Sequence, residues 1–228
     1  IALESVNYLG KNYKAHTNVN FKYSIDLRRC IVKQLRKFRR EPLTEQNLRS
    51  AAVAIVIVGG YSDHEASVVL TRRPVHLKNH SGQFALPGGK IDIGETGPNA
   101  ALRELHEELG LHLDANEVIG CLNEYPTRSG FRILPVVVWG GYKPTLTPNP
   151  AEIASIFHIP LTELDNPNLC KTTKSDNAEH LILSVNLPTA GGYVYAPTAA
   201  ILYQFREVAL RGKQTRVKHF DQPQFAWK

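Results

Sequence analysis

The stretch from Gly88 to Leu111, GGKIDIGETGPNAALRELHEELGL, constrains the fold more than any other part of the chain. Thr96 suits an N-cap, Pro98 suits the first helical turn, and Gly110 suits the residue just past the end, so the spacing predicts a helix ending at Leu109. On that helix Ala101, Leu102, Leu105 and Leu109 share one face, which must bury against a sheet. Glu104, Glu107 and Glu108 stand at i, i+3 and i+4 and share another. Like charges at that spacing cost about a few tenths of a kcal/mol per pair. One reading is a solvated acidic face with local partners, but Lys and Arg are scarce on that face. The other is a hard divalent cation, Mg2+ or Mn2+, which carboxylate oxygens suit and which would remove the repulsion. Mg2+ keeps waters and bridges to phosphates, so this reading points to phosphate chemistry. Arg103 can pair with Glu95 in the preceding loop, and helical spacing turns His106 away as a surface residue.

The rest of the chain supplies a sheet for that helix. AAVAIVIV, Ala51 to Val58, is a continuous β-branched run that reads as a buried strand closed by Gly59-Gly60. SVVLTRR follows as a second strand after a turn, and GQFALPGG reads as a short strand entering a glycine turn. GCLNEY and FRILPVVVW are further strands, and LILSVNL with YVYA suggests a hairpin. PNPAEIASIFHIP begins as a loop and becomes a short helix or strand. Two more helices are expected. Leu27, Ile31, Leu35 and Phe38 form one apolar stripe from Ser24 onward. PTAAILYQFREVAL forms an amphipathic helix with Ala200, Leu202, Phe205 and Val208 among its buried residues. Strands mixed with a few helices predict an α/β or α+β sandwich.

Composition narrows the setting. No apolar run approaches the roughly 20 residues that span a bilayer, and three scattered cysteines with no C-x-x-C pair suit a reducing compartment. The expectation is a cytoplasmic protein with no membrane partner. The chain begins at Ile1 and holds no Met, which leaves open whether a targeting segment was removed. The net charge of +6 gathers in LRRCIVKQLRKFRR and LRGKQTRVKH. Attraction to a polyanion and a plain solvated face both fit. No zinc-finger, helix-turn-helix or aromatic-interleaved basic motif favours nucleic acid.

From Gly89 the chain matches GX5EX7REUXEEXGU, with U a bulky aliphatic residue, at Gly89, Glu95, Arg103, Glu104, Leu105, Glu107, Glu108, Gly110 and Leu111. This resembles the Nudix box. The resemblance implies an α/β/α sandwich around a mixed β-sheet. It also implies metal-dependent hydrolysis of a nucleoside diphosphate linked to another group, X. It makes Glu104 and Glu108 the central metal ligands, with Glu107 sharing and the Gly88 carbonyl adding a ligand. Gly89, Glu95, Arg103 and Gly110 would be structural. The expected division is an extension with an amphipathic helix over 1–45, the Nudix domain over 46–212 and a tail over 213–228.

VLTRRPVHLKNHSGQFALPGG, Val69 to Gly89, further resembles the coenzyme A pyrophosphatase signature LLTXRSX3RX3GX3FPGG. Leu70, Thr71, Arg73, Gly82, Pro87, Gly88 and Gly89 match, and Val69, Pro74, Lys78 and Leu86 depart. Lys78 keeps the charge of the expected arginine without its bidentate fork. Coenzyme A or a derivative is therefore the first expected substrate, with ADP-ribose or another nucleotide as an alternative and a non-catalytic nucleotide- or RNA-binding module as a third. Arg73, Lys78 and His80 could meet substrate phosphates, and Arg128, beside Ser129-Gly130, could lie near substrate. Glu152, after a Pro-Asn-Pro loop, could serve as a further carboxylate ligand or as the base. It could equally be an acid in a helix's first turn, placed there by the macrodipole. Glu104, Glu107, Glu108 and Glu152 form the expected catalytic set, acting on a small-molecule nucleotide. A homodimer is left open.

Overall fold

The computed structural model describes residues 20–62, 65–76, 81–174 and 181–223. Among them, eight strands form one mixed sheet in the order β3-β2-β1-β7-β5, with β4 and β1 paired, β6 on β7 and β8 on β2. The strands are β1 Arg49–Ser62, β2 Glu65–Arg72, β3 Phe84–Ala85, β4 Gly88–Lys90, β5 Val118–Cys121, β6 Tyr125–Pro126, β7 Phe131–Tyr142 and β8 Ser155–Pro160. β1 and β7 run parallel, Ala51 opposite Ile133 and Ile57 opposite Trp139, and the other pairs are antiparallel. This agrees with the mixed-sheet sandwich expected from the sequence.

β1 reads as an unbroken apolar run because both of its faces are covered. Ala52, Ala54, Val56 and Val58 join Val136 and Val138 of β7 beneath α2 (Gly97–Leu109), against Ala100, Ala101, Leu105 and Leu109. Ile55 and Ile57, with Val137 and Trp139, face the opposite layer. That layer holds α1 (Ile25–Lys37) and, after the short α3 (Leu161–Leu164), α4 (Thr198–Phe205). Ser24 caps α1 by accepting from the Leu27 N–H, and Leu27, Ile31, Leu35 and Phe38 all enter the core. The N-terminal helix is thus part of the domain's own packing. No described helix is long and apolar enough to cross a membrane.

Three expectations differ from the structure. β1 does not stop at Gly59-Gly60. It runs on to Ser62 through a register shift, with Gly60 at φ +86° and Gly59 under the Tyr23 ring, so the glycines form a bulge. In the expected tail, 213–228, the described residues 213–223 pack back on the domain: β12 (Phe220–Asp221) pairs in parallel with β10 (Leu181–Leu187), and Val217, Phe220, Asp221 and Gln222 are buried. β10 also carries β9 (Cys170–Lys174) and β11 (Gly192–Tyr195), which confirms the expected hairpin.

The last helix is buried on every side, so it is not amphipathic, and it continues through a wider turn, Arg206–Leu210, in which the Arg211 N–H reaches the Arg206 carbonyl. Burial is tolerated because its charges are paired. Glu207 accepts from Arg206 at 3.0 Å, Arg211 at 2.9 Å and Lys213 at 2.6 Å, while Arg211 also reaches Asp165 at 2.6 Å. Burial pushes the Glu207 carboxyl up, but the Lys213 hydrogen bond and the Arg206 and Arg211 charges outweigh it and leave it below the usual range. Its stabilisation is therefore present above that range and lost as pH falls through the depressed value. Glu207→Gln should lower unfolding stability by about 3 kcal/mol at pH 7, because the buried Arg206 guanidinium loses its counter-charge and Arg211 keeps only Asp165. Denaturant melts at decreasing pH should show the gap to wild type closing as acid protonates Glu207.

Candidate active site

Thr96 Oγ1 accepts from the Asn99 N–H at 3.3 Å and starts α2. Gly110, at φ +65°, ends it, with Gly110 N–H bonded to the His106 carbonyl and Leu111 N–H to the Leu105 carbonyl. With its apolar stripe on the sheet, α2 points Glu104 and Glu108 at β4. Gly89 is where helix and strand come closest: a Cβ there would sit 2.2 Å from Glu104 Oε1. At Gly88, φ +154°, a Cβ would collide with the Ala52 carbonyl, and its N–H donates to Glu108 Oε2 at 3.2 Å.

Glu108 is only 4% exposed. Burial, with the Glu104 charge next, pushes its carboxyl up to about 8, and Glu152 adds to this, while the Gly88 N–H and Arg73 work the other way. Glu104 is also raised, by burial first, against the pull of Arg103. Glu152 bears electrostatically on both carboxylates. Its loop is hooked to the end of α2 by the Asn149 N–H on the Glu108 carbonyl and the Thr147 N–H on the Leu109 carbonyl. Within the loop the Glu152 N–H bonds to Asn149, closing a turn.

Arg103 is the hub of the opposite flank. Its guanidinium meets Glu95 at 3.0 Å, as expected, but also Glu104 and Glu107 at 2.9 Å each and the Lys90 carbonyl at 2.9 Å. The Glu95 carboxyl is held low, chiefly by that hydrogen bond. The acidic face therefore has one strong local cation, which lies in the motif itself. Among the described residues no group of three His, Cys, Asp or Glu side chains is gathered ready to hold a metal ion. Arg103 draws Glu104 and Glu107 together, and a cation would have to share them with it. The donors fit a hard cation nonetheless. All are oxygens, and Glu108 and Glu104 lie where burial and mutual repulsion disfavour the ionised form, a penalty that a divalent charge reverses.

A cleft of about 460 Å³ opens beside Gly88 and Gly89. Arg73 lines it, half-buried, with a buried Nε that has no hydrogen-bond partner and a charge that reaches Glu108. Arg128 lies elsewhere: its guanidinium grips Asp221 at 2.9 and 2.6 Å, and its neighbours Thr127 and Ser129 line the cleft instead. Lys78 and His80 lie outside the described residues. Phe84, Phe131 and Gln222 also line the cleft, and no local sequence signal marks them, since strand register and a C-terminal return bring them there.

A family model for the Nudix domain matches residues 48–181, which spans both the carboxylate helix and the turn that faces it. The chain belongs to the Nudix family. Nudix hydrolase 3 of Caenorhabditis elegans is 35% identical over 122 residues, covering 50% of this chain and 50% of that protein. A Nudix hydrolase of Yersinia enterocolitica, NudL, is 40% identical over 118 residues, covering 51% of this chain and 59% of that one. The chain spans little more than half the length of these Nudix relatives. A solved MutT/nudix family protein from Enterococcus faecalis is 16% identical, covering 75% of this chain and 65% of that one, with a TM-score of 0.46.

Gly89→Ala tests how this Nudix turn seats its helix. The atom it would strike is the end of a flexible side chain, so stability should fall by no more than about 1–3 kcal/mol. Glu104 should nonetheless leave its place. A crystal structure of the variant should show its carboxylate displaced, and the added Glu104→Ala change should restore the melting temperature.

Proposed function

We propose that this chain is a Nudix hydrolase that cleaves the pyrophosphate bond of a nucleoside diphosphate linked to X, with coenzyme A or a derivative as first substrate and Mg2+ or Mn2+ as cofactor. One observation supports the proposal: Glu104 lies against Gly89 and Glu108 accepts from the Gly88 N–H, with Glu107 and Glu152 bearing on them electrostatically, beside a cleft that Arg73 lines. Glu104, Glu108 and the Gly88 carbonyl would hold the metal, with Glu107 sharing. Bound there, it would acidify a water and neutralise charge on the pyrophosphate.

The chain's own groups do the rest. Arg73, already in the cleft with an unpaired donor, orients a phosphate. Glu107 or Glu152 takes the proton from the attacking water. Arg103 and Glu95 hold loop to helix so that the carboxylates stay aimed. Gly89 lets the Glu104 carboxylate come up against the backbone, and the Gly88 N–H holds Glu108 there. Lys78 and His80 remain candidates for a second phosphate, such as the 3′-phosphate of coenzyme A.

ADP-ribose or another nucleotide is the second reading. Phe84, Phe131 and Ile133 line the cleft beside Arg73 and Lys90, and an uncharged remote part of the substrate would pack against them. Hydrolysis assays over coenzyme A, its acyl forms, ADP-ribose and dinucleotides, with product identification, should separate the two. Coenzyme A should give 3′,5′-ADP and 4′-phosphopantetheine.

Glu108→Gln should cut kcat by about 10³-fold or more while leaving the fold intact, because a buried ligand loses its charge. Manganese should raise the melting temperature of wild type and not of this variant. Undiminished turnover would sink the metal assignment. Arg73→Ala should raise KM by roughly tenfold, the loss of about 1.4 kcal/mol expected for one charge-assisted contact.

A further inference from the structure

The sequence gathers cations in two segments, and the fold uses them differently. In the C-terminal segment they are tied to partners. Arg211 and Lys213 hold Glu207, and Arg216 meets Glu41 at 3.1 Å with its guanidinium 4.7 Å from the centre of the Phe38 ring. Gln214 fastens that segment to the end of α1: its Oε1 accepts from the Arg39 N–H at 3.0 Å, and its Nε2 donates to the Lys37 carbonyl at 3.1 Å.

The α1 segment is left open. Leu27, Ile31 and Leu35 take one face of the helix into the core. Arg29, Lys33, Arg36 and Lys37, at i, i+4, i+7 and i+8, form a stripe on the opposite face, and all four are exposed. Arg29 lies 3.5 Å from Asp26, with 74% of its side chain in solvent. Among the described residues Lys33, Arg36 and Lys37 have no acidic partner. With Arg28 and Val32 the four enclose a trough of about 490 Å³. The helix dipole favours Arg36 and Lys37 in the last turn, but gives no reason for Arg29 and Lys33. Like charges at this spacing repel, and a bound polyanion would remove that repulsion. None of these residues lines the cleft.

The shape of the charge selects the partner. The stripe runs along about 12 Å of helix, a length over which one strand of a duplex presents three to four phosphates. A planar anionic bilayer fits less well. The apolar face of α1 is already in the core and cannot enter lipid. Asp26 beside Arg29, and Glu117 at 3.7 Å from Arg28, would be pressed against the headgroups. No aromatic ring lines the trough to stack an unpaired base, so paired strands suit it better than single ones.

We propose that the exposed face of α1 docks the phosphate backbone of duplex nucleic acid, without sequence preference and apart from the cleft.

The test uses the full chain and short duplexes of two unrelated sequences, with fluorescence anisotropy over a salt series. Wild type should bind both alike, with log K falling against log salt at a slope of about −3 to −4. Lys33→Glu combined with Arg36→Glu should melt near wild type, bind at least about tenfold more weakly and flatten that slope by about two. Lys171→Glu combined with Lys174→Glu makes the same change in net charge on exposed positions of β9, and should stay within about twofold of wild type. Phosphatidylserine vesicles should bind more weakly than duplex at equal salt. Hydrolysis of a small nucleotide substrate should be unchanged in both double variants. Absence of duplex binding at low salt, equal losses in the two variants, or a preference for vesicles would each overturn the inference and leave the hydrolase reading standing.

Discussion

Helix α2 can lie against β4 because position 89 carries no side chain, while the bare Gly88 lets β4 lie close to β1. Everything the site does follows from that approach. At Gly89 the carboxylate of Glu104 occupies the volume a Cβ would need, and at Gly88 the backbone N–H is close enough to hold Glu108. The helix is pressed into place from behind by Ala100, Ala101, Leu105 and Leu109 on the sheet. Small residues at 100 and 101 let the helix sit low, so its acidic face meets the turn at hydrogen-bonding distance.

That closeness creates an electrostatic problem which the fold answers in two ways. Arg103 reaches Glu95, Glu104 and Glu107 and satisfies the flank that solvent can also reach, where Glu107 keeps 53% of its side chain exposed. Among the described residues Glu108 has no ion pair, and only the Arg73 charge and the Gly88 N–H favour its ionised form. It is buried and raised, and Glu152 is brought in to add another negative charge. Burying Glu108 with only the Gly88 N–H and the Arg73 charge to oppose its repulsion from Glu104 and Glu152 costs stability. The Glu207 cluster is the contrast. It is as deeply buried, but Arg206, Arg211 and Lys213 surround it, and its carboxyl goes down. The same residue type at similar depth is structural in one place and chemically poised in the other, and the partners decide which.

The two ends of the cleft differ in chemistry. One presents Arg73 and the glycine turn beside the carboxylates, and the other presents Phe131, Ile133 and Gln222. The first is built from a contiguous motif and the strand before it. The second is assembled from β7, the turn that Arg128 anchors and a C-terminal strand, which is the usual place for variation when one chemical core serves different substrates.

Sequence alone determined the carboxylate helix. Its caps, its apolar stripe and its acidic spacing are local, and a helix with those ends has few other ways to form, so Thr96, Gly110, Glu104 and Glu108 were legible one by one. The buried strands were legible for the same reason, although Gly59-Gly60 read as a stop and proved to be a bulge, because only the Tyr23 ring overhead explains why those positions need no side chain. Tertiary structure alone decided what surrounds that helix. Arg128 read as a substrate contact, but its charge goes to Asp221, a residue that reaches it only after the chain has crossed the domain and paired with β10. Gln222 was invisible because nothing in its neighbours' periodicity says where a terminal strand will land. Short-range spacing encodes how a segment folds and which groups share its face. Which distant groups meet that face is set by packing between layers, and that is a property of the whole chain.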